Sequence, residues 1–362
     1  MKRIFIRTAA ALLAAVLLFT VNANALSARS AVLMDAQTGR ILYEKDADRK
    51  SLIASTTKIM TALIVCEQCN VLDRMRIPKE AVGIEGSSVY LKEGEVLTVQ
   101  ELLYGLMMHS GNDAAVALAI YCGGTVEGFV ELMNDKARLL GLKGSHFANP
   151  NGLDHPEHYS TARDLAVLAA YAMENPIFAR TVSTKTLTLG QRSMKNHNKL
   201  LWTVDGADGV KTGFTRAAGR VLVSSASREG RRLIAVTIHD PNDWKDHQKL
   251  LEDGFANYQL KQIIAAGQQI GCRSVLNGNE NEVPVLAGED FSYPLMDGEQ
   301  PVVVLSQPGF SYAPVTAGAD AGFAYICVNG KSIGKVPVVF GRTVETKPTQ
   351  KKHFWDGWFG GM

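Results

Sequence analysis

The chain has 362 residues, with 38 basic and 36 acidic side chains and a hydrophobic fraction of 46%. That composition excludes intrinsic disorder, and the near balance of charge excludes the basic footprint of a nucleic-acid binder. The length suggests about two domains.

Lys2, Arg3 and Arg7 are followed by an uncharged run from Thr8 to Val21 and then by Ala23-Asn24-Ala25. A positive start, a short apolar run and small residues at a cleavage site read as a secretory signal peptide over 1–25. The run is short of the about 20 residues a membrane span needs. Cleavage would leave 337 residues with 35 basic and 36 acidic groups, so the basic excess belongs to the leader.

Beyond it, Ser30–Ala36 and Arg40–Lys45 read as two strands around a Gln-Thr-Gly turn. Helical patterns follow at Ser55–Asn70, Val99–His109, Asp113–Cys122 and Val126–Leu140. Ser160 or Thr161 can cap a helix over Ala162–Glu174, which Asn175-Pro176 should end. Strand character returns at Thr181–Leu189, Gly209–Phe214, Arg220–Ala226 and Arg232–His239. Asp240-Pro241 then opens a helix reaching about Tyr258. Strands at both ends with helices between them require one sheet built from distant parts of the chain, with helices packed on it, an α/β (α+β) arrangement. Past residue 260, short strands at Val283–Leu286, Val302–Leu305, Ala324–Val328 and Lys335–Phe340 mark a small all-β domain of about 85 residues, behind a linker near 258–265. The domains are thus read as 26–260 and 261–346, with a tail over 347–362.

The five cysteines are Cys66, Cys69, Cys122, Cys272 and Cys327. Cys66-x-x-Cys69 suggests a redox or zinc pair, but a second CxxC is absent, and the pair reads as small buried thiols at a helix end. His155 and His158 share a loop and read as loop polar residues rather than ligands. The histidines form no spacing such as HExxH, and no metal or organic cofactor is expected.

Three short motifs carry the chemistry. Ser55-Thr56-Thr57-Lys58 is an S-x-x-K at a helix start, where the i,i+3 spacing puts a hydroxyl beside an amine and the helix N-terminus leaves backbone N–H groups free. Lysine becomes a base near neutral pH only if burial or a neighbouring cation depresses its pKa. A second S-x-x-K, Ser332–Lys335, sits in a strand-like stretch that cannot align the two groups. Ser110-Gly111-Asn112 falls at a break between two helices, where a serine hydroxyl and an amide can face a cleft. Lys211-Thr212-Gly213 begins like a strand and offers a cation and a hydroxyl, which suit a carboxylate, beside a glycine that leaves room for an extended chain.

S-x-x-K with S-D-N and K-T-G is the signature of class A β-lactamases and penicillin-binding proteins, and this chain carries the three in that order with Ser-Gly-Asn in place of Ser-Asp-Asn. The chain resembles the D-alanyl-D-alanine carboxypeptidases, the low-molecular-weight penicillin-binding proteins, over nearly all of residues 26–362. Ala54–Ala62, Asn149–Leu153, His158–Leu165 and Asn198–Leu201 look like that family too, and the segment after 260 is similar to its C-terminal domain. The resemblance implies a β-lactamase/transpeptidase-like domain with an antiparallel sheet and helices, followed by the all-β domain. It also implies acyl transfer to water. Ser55 would attack the carbonyl between two D-alanines of a peptidoglycan stem peptide, and Lys58 would take its proton. The amides of Ser55 and Phe214 would form the oxyanion hole, and Ser110 would relay a proton to the leaving amine. Asn112 would hold the substrate backbone, and Lys211 and Thr212, beside Gly213, would bind the terminal carboxylate. A β-lactam would acylate the same serine, and the enzyme would work outside the cytoplasm at the cell wall.

The rival reading as a class A β-lactamase lacks its glutamate motif, since no E-x-x-L-N follows Ser110. A transpeptidase differs only in whether an amine competes with water, and a non-catalytic peptidoglycan-binding scaffold would not need every reactive side chain present. In the tail, Lys351 and Lys352 precede Phe354, Trp355, Trp358 and Phe359, the composition of an interfacial membrane anchor.

Overall fold

The computed structural model describes residues 26–190, 192–306 and 309–348. The expected signal peptide and the tail from Thr349 onward lie outside the described residues. The chain divides between Phe255 and Ala256 into two compact units.

In the first unit, β1 (Ser30–Asp35) and β2 (Ile41–Lys45) form a hairpin. A 3-10 turn over Ala54–Thr57 leads into α1 (Lys58–Gln68), which is buried from Lys58 to Cys66 and forms the central helix. The short strands β3 (Arg74–Arg76) and β4 (Val96–Thr98) pair with each other. Thr98 and Glu101 then cap α2 (Val99–Met108) reciprocally, each side chain accepting from the other's backbone N–H. In α3 (Asn112–Gly123), Ala114, Ala115, Ala117 and Ala119 are buried, and these small side chains let it lie among α1, α2 and α4 (Val126–Leu139). The face of α4 that packs inward repeats every four residues, at Phe129, Met133 and Ala137. Thr161, rather than Ser160, caps α5 (Ala162–Glu174) by accepting from Asp164 N at 3.0 Å.

Asn175-Pro176 ends α5 but also starts another helix, α6 (Pro176–Ser183), because Asn175 Oδ1 accepts from the N–H groups of Ile177 and Phe178. The strand expected over Thr181–Leu189 is therefore confined to β5 (Thr186–Leu189), paired with β6 (Arg192–Lys195). The β-branched Thr181 and Val182 are buried in the helix instead, and Thr181 returns its hydroxyl to Ile177 O at 2.8 Å. Tertiary burial outweighs local strand preference there.

A helical turn α7 (Leu200–Thr203) precedes β7 (Ala207–Thr215), β8 (Gly219–Arg228) and β9 (Arg231–Ile238). The last helix of the unit, α8 (Asp243–Asn257), begins three residues after the expected cap. The Asp240 carboxylate is taken by the Ser27 hydroxyl and by Asn242 N, which closes a turn over Pro241 before the helix opens. The sheet runs β2-β1-β9-β8-β7, antiparallel throughout, so the first strands join the last ones as the sequence required. β7 is one of the two edge strands, opposite β2, and the Ala54–Thr57 turn packs beside it.

The second unit is all β. The stretch expected as a linker is itself a strand, β10 (Tyr258–Ile264), because it completes a pair with β13 (Phe291–Met296). The remaining strands are β11 (Gln269–Leu276), β12 (Glu282–Ala287), β14 (Pro301–Leu305), β15 (Phe310–Tyr312), β16 (Asp320–Val328) and β17 (Lys331–Phe340), in the order β14-β16-β17-β12-β11-β15. Alternate residues enter the core, as with Ala324, Ile326 and Val328 against Val336, Val338 and Phe340. The second S-x-x-K lies within β17, where residues three apart point to opposite faces.

Candidate active site

Ser55 owes its place to a strained step. Ala54 sits at φ 48°, left-handed backbone that costs a non-glycine residue roughly 1–2 kcal/mol. Above this turn lies Gly152, at φ 88°, where a Cβ would stand 2.0 Å from Ala54 O. Only glycine lets the 149–153 loop settle there, and its settling brings Asn151 O to 2.5 Å from Lys58 Nζ.

Lys58 is fully buried at the start of α1. Its Nζ lies 3.0 Å from Ser55 Oγ, 2.6 Å from Asn112 Oδ1 and 2.5 Å from Asn151 O. Burial first, and then the nearby Lys211 charge, push its pKa well below the ordinary lysine value, against a smaller opposing pull from Asp113. A neutral amine fits these three neighbours. In that form its two N–H groups would go to the two carbonyl oxygens and its lone pair to the Ser55 hydroxyl, whereas the ammonium donates to all three.

Ser110 turns between α2 and α3 at φ 63° and is nearly buried. Asn112 opens α3 with both ends of its amide engaged. Oδ1 accepts from Lys58, and Nδ2 donates to Glu85 O at 2.5 Å. In the free protein it therefore positions the lysine, a role the motif alone did not suggest. The next residue, Asp113, ties down the segment before it, accepting from Val89 N, Leu91 N and the Ser88 hydroxyl at 3.1, 3.1 and 2.6 Å.

β7 brings in the third motif. A Cβ at Gly213 would stand 3.1 Å from both Ile53 O and Ser55 N, so the glycine lets the strand press against the backbone amide of Ser55. Asn198, fully buried ahead of the strand, donates to Gly209 O at 2.7 Å and accepts from Leu200 N. Lys211 is buried with Nζ 2.9 Å from Thr212 O, and desolvation lowers its pKa to about 7.

Ser55, Ser110, Thr212, Gly213 and Phe214 line one cleft of about 360 Å³, together with Ser87, His197, Lys199, Arg220, Asp243 and Trp244. Lys58, Asn112 and Lys211 stand buried behind it. The structure thus brings all eight expected residues to one place, as a wall and a buried support. His158 proves to be part of that support. Its Nδ1 accepts from Ala148 N at 3.1 Å, which leaves Nε2–H to donate to Thr57 Oγ1 at 2.7 Å, and Thr57 donates on to Ala54 O at 2.9 Å. Burial pushes its pKa down to about 4, so it is a neutral brace under the serine turn.

Residues 18–242 match the family described as D-alanyl-D-alanine carboxypeptidase, well over half of the chain. The chain belongs to that family. It is a serine-type D-Ala-D-Ala carboxypeptidase. Residues 258–346 match the C-terminal domain of penicillin-binding protein 5. This carboxypeptidase is 35% identical to the D-alanyl-D-alanine carboxypeptidase DacC of Escherichia coli (strain K12) over 90% of the chain and 86% of that protein. It is 32% identical to DacF of Bacillus subtilis (strain 168) over 86% and 84%. Penicillin binding protein 5 from Haemophilus influenzae superposes with a TM-score of 0.76 at 32% identity, over 90% of this chain and 99% of that one.

Several groups of this carboxypeptidase's site lay beyond the sequence reading. Asn151 and Glu85 act through backbone carbonyls, which no side chain advertises. Asp113 was legible only as the start of a helix. Arg220 enters the cleft from β8, directly opposite Phe214, and is held by Asp243 at 2.8 Å.

Proposed function

We propose that Ser55 removes the terminal D-alanine from peptidoglycan stem pentapeptides, with the eight residues divided between wall and support. The observation that carries this reading is the buried Lys58 amine, 3.0 Å from Ser55 Oγ and depressed well below its ordinary pKa. Neutral Lys58 takes the Ser55 proton as Oγ attacks the carbonyl between the two D-alanines. The N–H groups of Ser55 and Phe214 receive the developing oxyanion. Ser110 passes the proton to the leaving amine, and water then releases the acyl group.

The substrate's carboxylate falls to the Thr212 hydroxyl on the cleft wall, with Lys211 supplying positive charge from behind it. Because Lys211 titrates near 7 when the cleft is free, an arriving carboxylate raises its pKa and fixes the charge. That charge in turn favours the neutral form of Lys58, so a substrate with the correct anionic end activates the base. Lys199 and Arg220 add to the cationic lining. A β-lactam presents the same carbonyl and carboxylate, and acylates the same serine.

The leader-like residues 1–25 and the basic-then-aromatic tail suit an enzyme working outside the cytoplasm and held at a membrane surface. Intact mass after exposure to penicillin tests the chemistry, with D-alanine release from a stem pentapeptide measured beside it. One penicilloyl adduct in the wild type, none in Ser55→Ala, and free D-alanine are expected. An adduct without D-alanine release would replace the hydrolytic reading with a transpeptidase one.

A further inference from the structure

We propose that Cys69 and Cys122 form a redox-active pair that closes to a disulfide and fastens the far ends of the two helices whose near ends carry Lys58 and Asn112. Of the three thiols near the end of α1, only Cys66 is buried as a helix-end filler, and burial pushes it up to about 12, which makes it inert. Cys69 caps the C-terminus of α1, and Cys122 sits in the last turn of α3. Both are partly exposed.

The two helix ends lie against each other. Cys122 Sγ is 3.7 Å from Oε1 of Gln68, the neighbour of Cys69, and the Tyr121 hydroxyl donates to Asp73 at 3.0 Å. The Cys69 and Cys122 thiols thus lie at adjoining helix ends, near enough for each to shift the other's titration. Their nearness holds Cys69 below the usual thiol range and Cys122 above it, so the pair has one nucleophile and one resolving thiol. At their other ends the same two helices meet through the 2.6 Å contact of Lys58 Nζ with Asn112 Oδ1. A bridge at 69 and 122 encloses the S-G-N segment in a covalent loop and limits how far α1 and α3 can part.

The oxidant is a disulfide, small or protein-borne. The Cys69 thiolate attacks one of its sulfurs, forming a mixed disulfide and expelling a thiolate. Cys122 loses its proton to solvent and attacks Cys69 Sγ, expelling the second thiolate. Two protein thiols give up two protons and two electrons, and the oxidant becomes two thiols.

The test uses the reduced, purified protein, oxidised glutathione as the probe, alkylation in denaturant and peptide mass mapping. The wild type should yield Cys69 joined to Cys122, lighter by two hydrogens, with Cys66 alkylated, and its thermal midpoint should rise by several degrees. Cys122→Ser should accumulate glutathione on Cys69 without that rise, and Cys69→Ser should leave Cys122 largely unmodified over the same period. A Cys66–Cys69 link, free alkylation of both Cys69 and Cys122, or glutathione preferring Cys122 would overturn the pairing. A bridge that left the midpoint unchanged would overturn the fastening role. The wild-type map decides the pairing even if a variant fails to fold.

Discussion

The two units bury different things. The first holds Lys58, Lys211, Asn112, Asp113, His158 and His247 inside, whereas among the described residues of the second only Arg273 is a buried polar side chain, beside a core of Ile264, Val283, Ile326, Val336 and Val338. Removing a lysine from water costs on the order of several kcal/mol, and packing alone returns none of it. Such groups persist where the surroundings hold them for a purpose. The first unit reads as a scaffold that sustains this cost around Ser55, and the second as a body held by apolar packing.

Three experiments press on that contrast. The largest effect is expected at Lys58. Lys58→Met should slow penicillin acylation by about 10³-fold, measured as the rate of adduct formation, and Lys58→Arg should not restore it, because a guanidinium stays charged. A fast Lys58→Met enzyme would remove the reason for burying the lysine. Next is Ile326→Ala, which should cost the second unit about 2–5 kcal/mol in denaturant unfolding and leave the acylation rate within about twofold. A slowed acylation would show that the division of labour between the units is wrong.

The third effect depends on pH. Burial lowers His158 to about 4 and His247 to about 3. His247 is held neutral between Ser224 at 2.6 Å and Thr237 at 2.9 Å. Folded values below the unfolded one mean that the stability these groups contribute is full above about pH 6.5 and is lost as pH falls toward 4 and then 3. Residues 256–348 contain no histidine. Segment-resolved hydrogen exchange should therefore show the first unit loosening between pH 6.5 and 4 more than the second. Equal loosening would count against the histidine account.

The chemistry was legible because each motif is contiguous: Ser55 and Lys58, Ser110 and Asn112, and Lys211 to Phe214 can each be read within a few residues. What they do together was less legible. That Asn112 holds Lys58, or that Gly152 admits Asn151 O, depends on contacts between positions 54 and 93 residues apart. The strands of the main sheet followed from their runs of Val, Leu and Ile. The helix at Pro176–Ser183 did not, since Thr181 and Val182 look like strand residues until the Asn175 cap and the core beneath them are seen. The strand at Tyr258–Ile264 was hidden for the opposite reason, its Gln and Lys side chains facing outward while its backbone pairs with Phe291–Met296.

The pairing of β1 with β9 has a consequence for how the chain is made. Ala31 lies across from Thr237, so the main sheet has no second half until some two hundred further residues have emerged. Contacts so distant close slowly, and nothing local can complete them early. This strand order delays assembly of the main sheet until about two thirds of the chain has been made, and only then can the serine turn take its place beside the completed edge strand β7.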